Sequence, residues 1–110
     1  MVSRMAEQQQ SPWRDEAEYT ECLAHERHMF AWCLSTVGNI PWPEAQSRAE
    51  QRYPYEPGEE PYRGIIFHDE AWHYAMRELF GEQYWLTRPE LERPSDGYRA
   101  ESKRYEQSVD

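Results

Sequence analysis

Three groups of side chains in this chain have the types and spacing for chemistry. Glu21, His25, His28 and Trp32 recur at i, i+4, i+7 and i+11. On a helix they share one face, and a carboxylate and two imidazoles in a row can ligate a metal; a solvated or partner-facing polar stripe has the same spacing. His68-Asp69 and His73 form the second group. Asp69 and His73 stand at i, i+4, a carboxylate–imidazole pair able to act as a general base, though no nucleophile is singled out beside it. The third is Arg48 and Arg52, two guanidinium forks four residues apart; exposed i, i+4 pairing of Arg48 with Glu44 fits that spacing equally. No Gly-rich phosphate loop, C-x-x-C, H-E-x-x-H or nucleophile elbow is present.

These groups need helices to position them. A long helix is expected from about Trp13 to Thr36, with Ser11 as N-cap and Pro12 at its first position. Tyr19, Leu23, Phe30, Cys33, Leu34 and Val37 draw its apolar face. Glu26 falls inside that stripe, where a carboxylate must find a partner such as a neighbouring Arg, raise its pKa, or lie at an interface. Gly38, Asn39, Pro41 and Pro43 break the helix. A short second helix opens at Pro43-Glu44, with Ala45, Ala49 and Tyr53 as a thin apolar side behind Trp42. Residues 52–62, R-Y-P-Y-E-P-G-E-E-P-Y, exclude regular structure but carry enough tyrosine to read as an ordered loop.

Ala71, Trp72, Ala75, Met76, Leu79 and Phe80 give the clearest amphipathic pattern, a third helix with His68 or Asp69 as cap and Gly81 as its end. The expected fold class is therefore all-α, with a flexible arm over residues 1–12, a helical domain over 13–91, and a polar tail over 92–110. Within that tail Tyr98 and Tyr105, seven apart, mark one weakly anchored helix.

Composition narrows the function. The net charge is −9 and there is one lysine, so nucleic acid is excluded as a partner: phosphate binding needs clustered cations. Aromatic residues make up 15% of a chain that is only 38% hydrophobic, which suggests that part of the aromatic surface is meant for another protein. Cys22 and Cys33 lie on one predicted helix about 16 Å apart, beyond disulfide reach, and read as reduced thiols of a cytoplasmic protein. No signal peptide or long apolar run is seen, so no membrane association is expected.

The order of landmarks resembles the helical N-terminal region of nitrile hydratase beta subunits, over about residues 21–91. Glu26, Phe30 and Ala31 match a W-E-x-x-x-F-A start, with His25 in place of the Trp. Arg48 follows Phe30 by eighteen residues, past Gly38 and Trp42, as the family's Arg does. Trp72, Ala75, Leu79 and Leu86-Thr87-Arg88-Pro89-Glu90-Leu91 are similar to the later part, especially in the beta subunit of thiocyanate hydrolase. His68 and Asp69 stand where relatives carry tyrosines.

The resemblance implies a non-catalytic beta-type subunit that wraps a metal-bearing alpha subunit, with a separate barrel-type subunit as a further partner. Cobalt(III) or iron(III) would sit in the alpha subunit's Cys-x-x-Cys-Ser-Cys loop, with no metal and no cofactor on this chain. It also implies that Arg48 donates hydrogen bonds to the partner's oxidised cysteines, with Trp42, His68, Asp69, Trp72, Trp32 and Glu26 at the pocket or interface. The N-terminal end of the third helix would then lie beside Arg48. The family's small activator proteins, which help load the metal, resemble the same region and stay open as an alternative, as does an unrelated acidic inhibitor.

Overall fold

The computed structural model describes residues 15–108. They form an all-α fold, with no strand among the described residues. The helices are α1 (Glu16–Thr36), α2 (Trp42–Arg52), α3 (Ala71–Phe80), α4 (Tyr84–Thr87) and α5 (Asp96–Ser108), with 3-10 turns at Ile65–His68 and Pro89–Leu91.

The long helix begins later than the sequence predicts. Asp15, in extended conformation, caps α1 by accepting the Glu18 N–H at 2.9 Å, and Glu16 and Glu18 sit in the positively polarised first turn. The cap assigned to Ser11, the start at Trp13 and the N-terminal arm lie outside the described residues. At the far end Asn39 adopts φ 58° and turns the chain back. Gly38 sits where a Cβ would lie 2.8 Å from the Leu34 carbonyl oxygen and 2.5 Å from a Leu79 methyl, so only glycine lets α1 and α3 come this close.

α1 is the central element, and α2, α3 and α5 all pack on it. Its face of Tyr19, Leu23, Met29, Phe30, Cys33 and Leu34 is buried. α2 approaches through Ala45 and Ala49, both almost fully buried, because side chains this small let the helices close up. α3 contributes Ala71, Trp72, Ala75 and Met76, and ends at Gly81 with φ 103°.

Two features depart from the sequence reading. Neither His68 nor Asp69 caps α3; its N-cap is Glu70, without a side-chain cap bond. Two side chains from other helices lie near this end: the Ala71 amide acts on the Glu26 carboxyl and the Trp72 amide on the Tyr98 hydroxyl. The helix expected in the polar tail forms over 13 residues, but it is anchored on α1 rather than weakly held. Tyr98 is 4% exposed and packs edge-on against Trp72 and Trp32. Among the described residues no helix is long and apolar enough to cross a membrane.

Candidate functional site

The buried alanines of α2 fix which side of that helix faces outward. Arg48 and Arg52 come up one turn apart on its outer surface. The Arg48 guanidinium is held from two sides, by Glu44 at 2.5 Å on its own helix and by Glu78 of α3 at 3.3 Å. Both carboxylates raise its pKa, Glu44 first, so it stays charged. Its side chain remains 40% exposed.

Arg52 lies over the Tyr74 ring, 4.3 Å from the centroid, a cation–π contact that holds the guanidinium against α3. Further along α3, Arg77 forks onto both oxygens of Glu82 at 2.7 and 2.8 Å. Two open hollows join here. One, of about 360 Å³, is lined by Arg48, Gln51, Arg52 and Glu78. The other, of about 210 Å³, is lined by Arg52, Tyr74, Arg77, Glu78 and Glu82. Three guanidinium groups thus share one face with the carboxylates of Glu44, Glu78 and Glu82, and an anion offered by another surface would displace those carboxylates to take their charge-assisted, forked hydrogen bonds.

The other expected site residues do not gather around Arg48. On α2, Trp42 stands six residues earlier, which turns it by about 120° around the axis. Its ring meets His28 at 5.6 Å, and it lines a separate cavity of about 220 Å³ with Arg27, His28, Gln46, Glu50 and Tyr105. His68 and Asp69 are exposed at the N-terminal side of α3, whereas Arg48 contacts Glu78, about 10 Å further along that helix from Ala71. The expectation that the start of α3 lies beside Arg48 is therefore corrected. Trp72 belongs to the core: it is 2% exposed and its indole N–H donates to the Leu91 carbonyl at 2.8 Å. Trp32 is half-buried under Gly97 and Tyr98 of α5.

Among the described residues Glu26 makes no ion pair with an Arg; Arg27, its neighbour, donates instead to the Tyr53 carbonyl at 2.9 Å. Burial pushes the Glu26 carboxyl up to about 7, the nearby Glu70 adds to the rise, and the Ala71 amide partly opposes it.

α5 lies over the two histidines of the α1 stripe and leaves them part-buried, while Glu21 stays exposed. His25 Nε2 meets the Ser102 hydroxyl at 2.9 Å and His28 Nε2 meets Glu101 at 2.7 Å. The Tyr105 ring stacks on both imidazoles, at 5.1 and 4.6 Å. Among the described residues no group of three or more His, Cys, Asp or Glu side chains is arranged to hold a metal. His73 likewise turns away from general-base use with Asp69 and meets the Tyr84 hydroxyl at 3.0 Å.

Compared with protein-family models, curated proteins and solved structures, the chain matches none. The family resemblance accordingly rests on the residues that carry it, from about 21 to 91.

Sequence reasoning passed over two arginines, one on this surface and one buried elsewhere. Arg77 is the third arginine of the face; its place next to Met76 and about one turn before Phe80 on an amphipathic helix gave no signal of its own. Arg63, a buried cation, was hidden in a loop, although a tyrosine-rich segment beside a lone arginine is the composition of a cation–π clamp.

Proposed function

We propose that this chain is a small non-catalytic beta-type subunit of a nitrile hydratase or thiocyanate hydrolase-like metalloenzyme. It docks on a metal-bearing alpha subunit, and its α2 surface completes that subunit's pocket. The observation that carries the reading is the placement of Arg48: a permanently charged fork, half in solvent, steered by Glu44 and Glu78 and not buried in the chain's own core.

Such a fork can exchange solvent-exposed carboxylates for the oxygens of a partner's oxidised cysteines with little loss, because exposed ion pairs are weak. The partner's cobalt or iron would supply Lewis-acid activation of the nitrile or of water. This chain's part is to present Arg48, with Arg52 held beside it, at the rim of that site. The separation of Trp42, His68, Asp69 and Trp72 from Arg48 supports a pocket contribution made by the face around Arg48 and Arg52 alone.

The test is co-expression with a Cys-x-x-Cys-Ser-Cys alpha chain from the same genome. A stable stoichiometric complex that hydrates a nitrile or hydrolyses thiocyanate is expected. Arg48→Ala should leave the complex assembled and abolish turnover. Full activity in that variant, or a partnership that dissolves once metal is loaded, would reject the subunit role; the second result would favour an activator.

A further inference from the structure

The connection between α2 and α3 is far longer than the fold requires. It runs from Tyr53 to Glu70, 18 residues, and contains a single 3-10 turn. Long connections without secondary structure are uncommon in compact domains and are usually functional. This one is also fastened firmly. Arg63, 7% exposed, lies over the Tyr19 ring at 3.6 Å and is flanked by the Tyr55 ring at 5.6 Å. It donates to Glu16 at 2.6 Å and to the Glu56 carbonyl at 2.9 Å. Glu56 takes the Gly64 N–H on its side chain at 2.9 Å, and its own N–H donates to the Tyr19 hydroxyl at 2.9 Å. The two ends of the loop are thus tied to each other and to α1.

The result of this fastening is the outward display of large side chains. Tyr62 is 75% exposed, Ile65 65% and Tyr55 50%. Glu59 and Glu60 stand exposed beside them. None of these exposures stabilises the isolated chain. A loop already held in one conformation loses little entropy on binding, and buried tyrosine is among the commonest anchors of protein interfaces.

We propose that residues 55–65 form a preorganised docking loop for a basic protein surface, with Tyr62 and Ile65 as anchors and Glu59 and Glu60 as the electrostatic guide. Charge decides the class of occupant. The chain carries a net −9 and the loop's exposed charges are acidic, so a second copy or an anionic lipid surface would be repelled, while a cationic protein face is attracted. The inference does not depend on the metalloenzyme reading, since it concerns a different part of the molecule from Arg48.

The test follows amide resonances of the full chain during titration with two synthetic amphipathic helices, one of leucine and lysine, the other of leucine and glutamate. The lysine peptide should shift Tyr55, Glu59, Glu60, Tyr62 and Ile65, and the glutamate peptide should not. The double variant Tyr62→Ser/Ile65→Ser should keep its melting temperature, because both side chains are exposed, and should bind the lysine peptide at least about tenfold more weakly. Glu59→Lys/Glu60→Lys should reverse the preference between the peptides. Equal binding by the Tyr62/Ile65 variant, or shifts centred on α2 or α5, would overturn the proposal. Concentration-dependent shifts of the loop without peptide would overturn it too, in favour of a second copy.

Discussion

Glu26, in the middle of α1, places its carboxylate against the backbone amide of Ala71, the first residue of α3. One acidic side chain inside an apolar stripe thus lies near the N-terminal end of a neighbouring helix. Tyr98 of α5 and Glu70 add to the same junction, and Arg99 ties Glu70 to α5 at 2.5 Å. Three helices therefore meet around a group whose charge is set by pH.

That junction predicts a pH dependence with a definite sign. An unfolded Glu releases its proton near about 4.3, while folded Glu26 holds it to about 7. Between those values the folded state binds more protons, so stability contributed by Glu26 is full below the unfolded pKa and is lost as pH rises towards 7, then stays level. The whole effect is at most about 4 kcal/mol. Glu26→Gln keeps the shape and removes the titration. Urea denaturation from pH 4 to 9 should show the variant more stable than the parent above pH 7, with the difference shrinking on acidification. A difference independent of pH would show that Glu26 does not titrate in the fold.

The same junction shows where sequence reading reaches and where it stops. α3 was legible because Ala71, Trp72, Ala75 and Met76 repeat at helical period, and α2 because Pro43, Glu44 and two alanines mark a helix start and a close-packing face. The docking of α5 was not. Its contacts are His25 with Ser102, His28 with Glu101, and Tyr105 over both rings, polar and aromatic pairings that leave no apolar period to read. The junction at the start of α3 was equally hidden, since it brings together residues 45 positions earlier and 26 positions later in the chain. At the candidate site the sequence singled out Arg48 and its pairing with Glu44, but Glu78, which sets where Arg48 lies on the surface, is a tertiary partner that spacing cannot reveal.

Gly38 makes a purely steric prediction. A methyl group there would press into the Leu34 carbonyl and a Leu79 methyl. The Leu79 side chain can rotate, but the carbonyl belongs to the helix backbone. Gly38→Ala should therefore destabilise the fold by about 1–3 kcal/mol, as overpacking does, measured as a lower denaturation midpoint at an unchanged slope. A neutral effect would mean that the turn between α1 and α2 yields easily.

α5 should be part of the cooperative unit despite its polar sequence. Ending the chain after Pro94 would uncover Trp72 and Trp32 and leave His25 and His28 without Ser102 and Glu101. Removing Tyr98 alone takes a nearly buried aromatic ring from the core, and Tyr98→Ala should cost about 3–5 kcal/mol. Both changes should also shift tryptophan fluorescence to longer wavelength, because two indoles gain water. A truncated chain with native fluorescence and an unchanged melting temperature would show that α5 merely rests on α1.

Arg48→Ala addresses function without touching the fold. Its two ion pairs are exposed, so they contribute little to stability, and the variant should melt with the parent. Any loss of turnover in a reconstituted complex then reports on the guanidinium at the partner's site. Arg48→Lys sharpens the point: it keeps the charge and loses the forked geometry, so it should fail to restore full turnover if two parallel hydrogen bonds are needed, and should restore it if charge alone suffices.

Arg63 separates loop from bundle. Its guanidinium holds Tyr19, Tyr55, Glu16 and the Glu56 carbonyl together, but α1, α2, α3 and α5 meet elsewhere, around Glu26 and the alanines of α2. Arg63→Met keeps a long apolar stem against Tyr19 while removing every donor. Hydrogen exchange should then accelerate at Glu56 and Gly64, whose amides depend on the fastened loop, while amides within α1 and α3 keep their protection. If the helices lost protection together with the loop, Arg63 would be a keystone of the whole fold, and the loop's rigidity would be a by-product of core packing. Independent loosening would show that the chain spends a buried cation on holding an exposed loop in one shape.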